Sequence, residues 1–236
     1  MKREFISPVA VRLTCLLGML LSAWPSGQAE VAQPDSADGL FALDNFLEVK
    51  IQMSPLYWDR LRYQYRDITQ ERQPGEAFKD NYTYLPALVS INGKSIGPVG
   101  LRKKGLIGSS STQRPSLKIK FNFAKKGGRY LGLDRLTLNN NIQDPSLVKQ
   151  YLSYKLFRKA GLPAPRCNFA RVFVNGQYLG VYTNVESVRK PFLKRVFNED
   201  KGDLYEGMIN DFREGFHKTF EVKDGAGKKM KSIRRV

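Results

Sequence analysis

The sequence predicts a mixed α+β fold, and three observations lead to this prediction. Between residues 85 and 138, short apolar runs alternate with turn residues, which is typical of successive strands. One prominent helix is expected after Asp144-Pro145, with apolar residues at helical spacing up to Gly161. A second pair of strands, joined through Asn175-Gly176, follows that helix directly. This order of strands, helix and hairpin indicates an α+β domain.

The first 29 residues have the order of a secretory signal peptide. Lys2 and Arg3 give a positive start, an apolar run covers 13–24, and small residues follow up to Ala29. The run is too short to span a bilayer comfortably. We therefore expect export to the periplasm, the cell surface or the medium, with no transmembrane segment once residues 1–29 are removed. Residues 30–44 predict a linker, and 45–236 the folded domain.

Within that domain the predicted elements follow one another closely. Three helices are expected, the first from Pro55, the second from Asp144 and the third over 191–197. In the first helix, the stripe Trp58, Leu61 and Tyr65 is expected to pack into the core. Residues 66–83 predict a charged loop. Residues 232–236 predict the first turn of a further helix, so we expect a C-terminally truncated domain. The predicted strands cover 46–53, 85–91, 99–104, 116–123, 135–138, 168–174, 178–185 and 220–222.

The composition disfavours several kinds of site. The chain has two cysteines, Cys15 and Cys167, and a single histidine, His217, which gives little support to a zinc site or a Cys-His nucleophile. The formal net charge of +17 predicts an anionic partner. In an exported protein this means an envelope polymer, nucleotide phosphates or an acidic protein surface. Export and the lack of an aromatic-basic RNA motif disfavour nucleic acid.

A glycine- and serine-containing loop is the first candidate for phosphate binding. Lys104-Gly105 ends one predicted strand, and Ser109-Ser110-Ser111-Thr112 follows shortly after it. Backbone amides and hydroxyls in such a loop can point toward phosphates. The sequence lacks the Gly-Lys-Ser/Thr ending of a Walker loop, and an ordinary solvated hairpin loop is the alternative interpretation.

The strand after this loop carries two lysines on one face. Period-two alternation places Leu117 and Ile119 on one side of the strand, and Lys118 and Lys120 on the other. In kinases, a lysine on a strand after the phosphate loop binds the phosphates. A sheet with a solvated basic face explains the same pattern equally well.

Beyond these two features, ordered motifs extend over roughly residues 85–207. They are the Lys104-Gly105 serine loop, SLKIKF (116–121), LTLNNN (136–141), DPS (144–146), LSYKLFR (152–158), AGLPAPR (160–166), VNG (174–176), GVY (180–182), Val185-Glu186, FLK (192–194) and DLY (203–205). In these residues the chain resembles the CotH, or spore-coat-protein-H-like, kinase family.

The resemblance implies an atypical protein-kinase-like fold, with the small lobe and the start of the large lobe. It implies transfer of phosphate from ATP to protein Ser/Thr with Mg²⁺. Lys104, Lys118 and Lys120 then become candidates for phosphate contacts. Glu186 becomes a candidate for the nucleotide edge near the hinge, with a surface carboxylate as the alternative.

Two departures from the family pattern qualify this expectation. The helix in relatives often carries an acid where this chain has Lys149-Gln150, so the resemblance does not support a helix–lysine ion pair here. The family's catalytic and metal-binding aspartates would lie beyond Val236. We therefore assign no catalytic or metal residue, and Asp203, Asp211 and Asp224 are expected at the surface. A fragment of this kind would not transfer phosphate.

The alternative function is a non-enzymatic exported module that binds an anionic envelope polymer or a protein partner. It would show salt-sensitive binding without nucleotide selectivity. The protein substrate is left unspecified by the sequence.

Overall fold

The computed structural model describes residues 36–65, 82–105 and 109–201, and the backbone of strands at 205–207 and 233–235. The chain divides into two units at residue 30, and every described residue belongs to the second, Val31–Val236. Outside the described residues lie the predicted signal peptide, residues 30–35 of the predicted linker, nearly all of the charged loop, the 220–222 strand, and His217, Asp203, Asp211 and Asp224.

Strands dominate the described residues, and the helices among them are short. No described helix has the length and apolar character needed to cross a bilayer. The elements, in chain order, are a 3-10 helix Gly39–Phe41, β1 Leu47–Gln52, α1 Pro55–Arg62, β2 Leu85–Ile91, β3 Lys94–Lys104, β4 Ser116–Lys120, β5 Arg135–Asn139, α2 Lys149–Lys159, β6 Cys167–Val174, β7 Gln177–Glu186, α3 Lys190–Phe197, β8 Tyr205–Gly207 and β9 Ile233–Arg235.

The first seven strands form a closed barrel in the order β1-β2-β3-β4-β5-β7-β6. Neighbouring strands pair antiparallel, except β1 and β6, which pair parallel with Leu47 opposite Ala170 and Ile51 opposite Val174. This parallel pair closes the sheet. Because each of the seven strands has a partner on both sides, the barrel has no open edge.

The prediction of an α+β, kinase-like fold is wrong. The described residues form mostly a closed seven-stranded barrel with three short α-helices. Helix α2 has no buried residue, so it does not form a layer that shares the core. The individual strands were predicted closely, but closure depends on the long-range β1–β6 and β5–β7 pairs. Local periodicity carries no information about such partners.

Alternating residues of the strands fill the barrel with apolar side chains. Burying each of these side chains contributes on the order of 1.5–3 kcal/mol. The hydroxyl of Tyr182 is also enclosed, and it donates to the carbonyl of Pro115 at 3.1 Å. The fully enclosed residues include Leu47, Val49, Ile51, Ile91, Leu101, Leu117, Ile119, Leu136, Leu138, Ala170 and Val172.

Helix α1 covers the end of the barrel at which β3 ends and β4 begins. Its Leu61 is fully buried, whereas Tyr65, also predicted in the core, is 69% exposed and follows the helix. Lys103 lies inside this end, and its Nζ donates to the carbonyls of Arg62 (2.6 Å) and Gln64 (2.7 Å). Burial lowers the pKa of Lys103. These bonds satisfy the carbonyl of the last residue of α1 and a carbonyl just beyond the helix.

An asparagine cluster closes the opposite end of the barrel. Asn184 Nδ2 donates to the carbonyl of Leu40 (3.1 Å) and to Asn168 Oδ1 (2.8 Å). Asn168 Nδ2 in turn donates to the carbonyls of Ala42 (2.9 Å) and Asn45 (2.8 Å). Both amides are fully buried, so the segment before β1 is held by bonds that water does not compete for.

Two further predictions of local structure are wrong. Helix α2 begins at Lys149 rather than directly after Asp144. Asp144 forms a separate turn first, in which its carboxylate accepts from the N–H groups of Ser146 (3.1 Å) and Lys149 (2.8 Å) and Leu147 has a φ of 62°. At the C-terminal side, residues 233–235 form β9, paired antiparallel with β8, where a helical turn was expected.

Candidate phosphate site on the outer face of the barrel

The three lysines predicted to contact phosphate lie on one face of adjacent strands. In the β3–β4 pair, Lys104 is opposite Ser116, and Arg102 is opposite Lys118. The residues between them point into the core, so these side chains point outward. Lys120 follows two residues after Lys118 on the same side. The structure therefore brings Lys104, Lys118 and Lys120 together on the outer face of the barrel.

Two arginines extend this cluster of cations. Arg102 is the outward-facing residue of β3 that precedes Lys104, and Arg135 of β5 is opposite Lys120. Sequence reasoning missed both arginines, although the period-two spacing of Arg102 and Lys104 indicates a shared face. We call the five residues Arg102, Lys104, Lys118, Lys120 and Arg135 the basic face.

An aromatic ring lies among the cations at one side of the basic face. The charged groups of Arg102, Lys120 and Arg135 lie 5.2, 5.4 and 5.8 Å from the ring centroid of Tyr84. Cations at this distance from a ring face are attracted by its quadrupole, by about 0.5–1 kcal/mol each at exposed sites. Tyr84 therefore helps to hold three like charges close together.

A polar relay connects Lys104 to helix α2. Lys104 Nζ donates to Asn139 Oδ1 at 3.0 Å, and Asn139 Nδ2 donates to Gln150 Oε1 at 2.6 Å. Gln150 Nε2 then donates to Tyr154 Oη at 3.4 Å. We call Asn139 and Gln150 the amide relay. The departure from the family pattern at Lys149-Gln150 thus places a neutral amide at the helix end of this connection.

Both ends of the serine loop are fixed by buried groups. Asn140 Nδ2 donates to the carbonyls of Ser109 (3.1 Å) and Arg114 (2.7 Å), and Tyr82 Oη donates to the carbonyl of Gly105 (3.1 Å). Gly105 has a φ of 135°, and a Cβ there would lie 2.9 Å from the Ser109 carbonyl oxygen. The loop therefore requires glycine at this position. Residues 106–108 lie outside the described residues.

Arg114, near the end of the loop, makes contacts within the fold. Its guanidinium lies 5.2 Å from the ring centroid of Tyr182, and its Nη2 donates to the carbonyl of Val181. This contact joins the loop to β7. Sequence reasoning assigned no role to Arg114.

Glu186 does not lie on the basic face. Its carboxylate is fully buried and accepts from the backbone N–H (3.0 Å) and Nη2 (2.7 Å) of Arg166, and from Nε (3.1 Å) and Nη2 (2.5 Å) of Arg195. Burial alone would raise the pKa of Glu186, but the bonds from Arg195 and Arg166 outweigh it and hold the pKa below its usual range.

The structure does not bring Glu186 to the three lysines. Glu186 is opposite the inward-facing Leu136, so it points to the interior side of the sheet, at the end closed by the asparagine cluster. Asn139, beside Lys104, lies three residues along β5, about 10 Å away along the strand direction. A contact between Glu186 and a nucleotide edge stays a prediction.

The donor groups of this face fit phosphates better than they fit a metal. Five cations beside a loop of hydroxyls and amides can bind a polyphosphate through charge-assisted hydrogen bonds. In the described residues, no group of three His, Cys, Asp or Glu side chains is placed to hold a metal ion. We therefore name no Mg²⁺ ligand among the described residues, and a role for Mg²⁺ stays a prediction.

Comparison with known proteins shows similarity to one family. The model of the family described as CotH kinase protein matches residues 89–234, which includes the whole basic face and the amide relay. An inner spore coat protein H-like protein of Bacillus subtilis (strain 168) is 36% identical over 73 residues, which cover 31% of this chain and 24% of the relative.

Inner spore coat protein H of the same organism is 36% identical over 66 residues, which cover 28% of this chain and 18% of the relative. The chain thus matches at most about a quarter of each relative's own length. The family match itself extends over more than half of the chain. The chain therefore belongs to the CotH kinase protein family.

Proposed function

We propose that this chain is part of an exported CotH-type protein kinase, and that its basic face binds the phosphates of ATP. The proposal includes the transfer of phosphate to protein Ser/Thr and a requirement for Mg²⁺, because the chain belongs to the CotH kinase protein family. Export is proposed from the signal-peptide order of residues 1–29.

The observation that carries the proposal is the position of Lys104. It ends β3 directly before the serine loop, its Nζ is held by Asn139 at 3.0 Å, and Ser116 is opposite it on β4. A polyphosphate at this point would meet the Lys104 amine, the outward amine of Lys118 and the donors of the loop. ATP would supply the transferred phosphoryl group, and the described residues would bind and orient it.

The proposal is tested by titrating ATP into the full chain, with and without magnesium chloride, in a calorimeter. Changing Lys104→Ala should weaken ATP binding about 10- to 150-fold, because a charge-assisted hydrogen bond of about 1.5–3 kcal/mol is lost. The matched control is Lys94→Ala, since Lys94 is an exposed lysine at the other end of β3. Equal ATP affinity in wild type and Lys104→Ala would overturn the proposal.

A second candidate function is binding of an anionic envelope polymer without catalysis. The observation that favours it is the grouping of Arg102, Lys120 and Arg135 around Tyr84 on the outer face. The same titration with long-chain polyphosphate distinguishes the two functions. A polymer site would bind polyphosphate in a strongly salt-dependent manner and show no preference for ATP.

A further inference from the structure

The outer surface of β6 alternates aromatic and cationic side chains. Phe169, Arg171 and Phe173 are outward residues of this strand, because Ala170 and Val172 between them are fully buried. Side chains at alternate positions of a strand are about 7 Å apart. The outward row of β6 therefore reads ring, guanidinium, ring at a regular spacing.

Neighbouring elements add a further ring at each end of this row. Phe46, the residue before β1, stacks on Phe169 with 6.2 Å between the ring centroids. Tyr178 of β7 is opposite Phe173, with 5.0 Å between the ring centroids. Phe46 is 37% exposed and Tyr178 is 50% exposed, so these rings are open to a partner. Together with the α2 residue that contacts Phe169, they form a surface that we call the aromatic face: Phe46, Tyr151, Phe169, Arg171, Phe173 and Tyr178.

The charges on and beside the aromatic face are mainly positive. The guanidinium of Arg171 lies 5.8 Å from the ring centroid of Phe46. The amines of Lys50 and Lys155 lie 5.9 and 5.8 Å from the centroids of two further rings. The nearby acid, Glu48, pairs with Lys50 at 2.6 Å. Among the residues that the structure describes, no carboxylate pairs with Arg171 or Lys155, so three cations against one acid leave a net charge of +2 for a partner.

Helix α2 adds aliphatic surface beside the aromatic face. Tyr151 and Lys155 lie one turn apart, and Leu152 and Leu156 form the next row around the helix. The two leucines are 53% and 64% exposed. Another protein gains by covering them, since burial of apolar area is favourable, whereas a charged glycan has little apolar surface to offer. Aromatic residues and arginine are also enriched in protein–protein interfaces. These features favour a protein partner.

We propose that the aromatic face binds an extended segment of another protein, in which apolar and acidic side chains alternate on one side. Such side chains repeat about every 7 Å, which matches the spacing of the outward residues of β6. An acidic side chain would meet Arg171, and the apolar side chains before and after it would cover Phe169 and Phe173. The aromatic face lies on β1, β6, β7 and α2, whereas the basic face lies on β3, β4 and β5, so this docking does not depend on the nucleotide.

The test uses a fluorescein-labelled peptide of three Leu-Ser-Asp-Ser repeats, titrated with the full chain and followed by fluorescence anisotropy. When extended, this peptide presents Leu and Asp alternately on one side. A peptide of three Leu-Asp-Ser-Ser repeats has the same composition and charge, but its Leu and Asp lie on opposite sides. The second peptide should bind at least about fivefold more weakly, because it cannot match rings and guanidinium together.

Variants of the full chain locate the bound peptide. Arg171→Glu should weaken binding at least about tenfold, because it replaces attraction with repulsion. Lys94→Glu makes the same change of charge at an exposed lysine of β3 and should leave the affinity within about twofold of wild type. Tyr178→Ala should weaken binding several-fold. Its control is Tyr63→Ala, which removes a 57% exposed tyrosine beside α1. Melting temperatures close to that of wild type would show that each variant is folded.

Several outcomes would overturn the proposal. Equal binding of the two peptides, or an equal loss in Lys94→Glu and Arg171→Glu, would mean that only net charge matters. Absence of saturable binding at about 1 mM peptide would also contradict it. Loss of peptide binding in Lys104→Ala would place the peptide on the basic face. Arg171-dependent binding of polygalacturonate without binding of the peptide would assign the face to a glycan. A wild-type dimer that Arg171→Glu dissociates in sedimentation equilibrium would assign it to a second copy of the chain.

Discussion

Lys103 and Glu186 are the charged side chains that the described part of the fold buries most completely. Each is surrounded by groups that compensate for its charge. Lys103 donates to the carbonyl of Arg62, at the end of α1, and to that of Gln64, just beyond it. Glu186 accepts from Arg166 and Arg195. Because an uncompensated buried charge is costly, the partners matter more than the charges themselves.

The first residue-scale prediction concerns Glu186→Gln. This change preserves the shape of the side chain but leaves two arginines without their carboxylate, so the free energy of unfolding should fall by about 3 kcal/mol at pH 7. Urea denaturation measures it. Glu48→Gln is the control, because Glu48 forms a surface pair with Lys50 at 2.6 Å and should change stability by less than about 1 kcal/mol.

The same variant has a defined pH dependence. Because the pKa of Glu186 is depressed in the folded protein, its stabilising contribution is fully present above the unfolded pKa of about 4.3. That contribution is lost as the pH falls through the folded pKa. The stability difference between wild type and Glu186→Gln should therefore shrink below about pH 4, and a difference that grew there would contradict this account.

At the scale of elements, α2 is held by few contacts. Its Tyr151 ring lies 5.7 Å from that of Phe169 on β6, and Gln150 bonds to Asn139. Leu152 and Leu156 are 53% and 64% exposed. Packing against the barrel therefore depends on the tyrosine and the relay rather than on the apolar stripe that predicts the helix from sequence.

This arrangement predicts a contrast between two alanine variants of α2. Tyr151→Ala should lower the free energy of unfolding by about 1–2 kcal/mol, since it removes an aromatic pair together with buried area. Leu156→Ala should change it by less than about 0.5 kcal/mol, because the side chain is exposed. Equal losses in urea denaturation would show that α2 packs through its leucines after all.

At the scale of the whole molecule, closure of the barrel is the decisive feature. Strand β1 pairs with β2 on one side and with β6 on the other. In an open sheet, β1 would be an edge strand, and alternate N–H groups would face water. Closure also gives the sheet a distinct outside, on which the basic face lies, and an inside, toward which Glu186 points.

Amide hydrogen exchange tests this closure directly. The N–H groups of β1 should exchange slowly along the whole strand, because the Glu48 N–H donates to Asn92 Oδ1 and the strand lies between β2 and β6. If β1 were an edge, exchange would alternate between slow and fast along the strand. Lys94 and Ser95, at the start of β3 next to a turn, give an internal reference for faster exchange.

The sequence allowed the elements and part of the site to be predicted. Period-two alternation identified β2, β4 and β6 to within a few residues, and both Asn-Gly pairs form the expected turns, with Asn92 and Asn175 at a φ of 50°. The same alternation put Lys118 and Lys120 on one face. The start of α2 was misplaced because Asp144 caps the turn before the helix as well as the N–H of Lys149, and both interactions have the local chemistry of a helix N-cap.

Only the tertiary structure decided the fold class and the composition of the site. Which strands become neighbours depends on contacts between residues more than a hundred positions apart, such as β1 with β6, and no local pattern encodes them. Pairing of β4 with β3 and β5 adds Arg102 and Arg135 to the lysines, side-chain hydrogen bonds connect Lys104 to Gln150 through Asn139, and the direction of Glu186 separates it from all of them. The sequence by itself determined the period of each strand and the charge of the chain. Partner choice between strands determined which of those charges meet, because side-chain direction is local whereas closure is a property of the whole sheet.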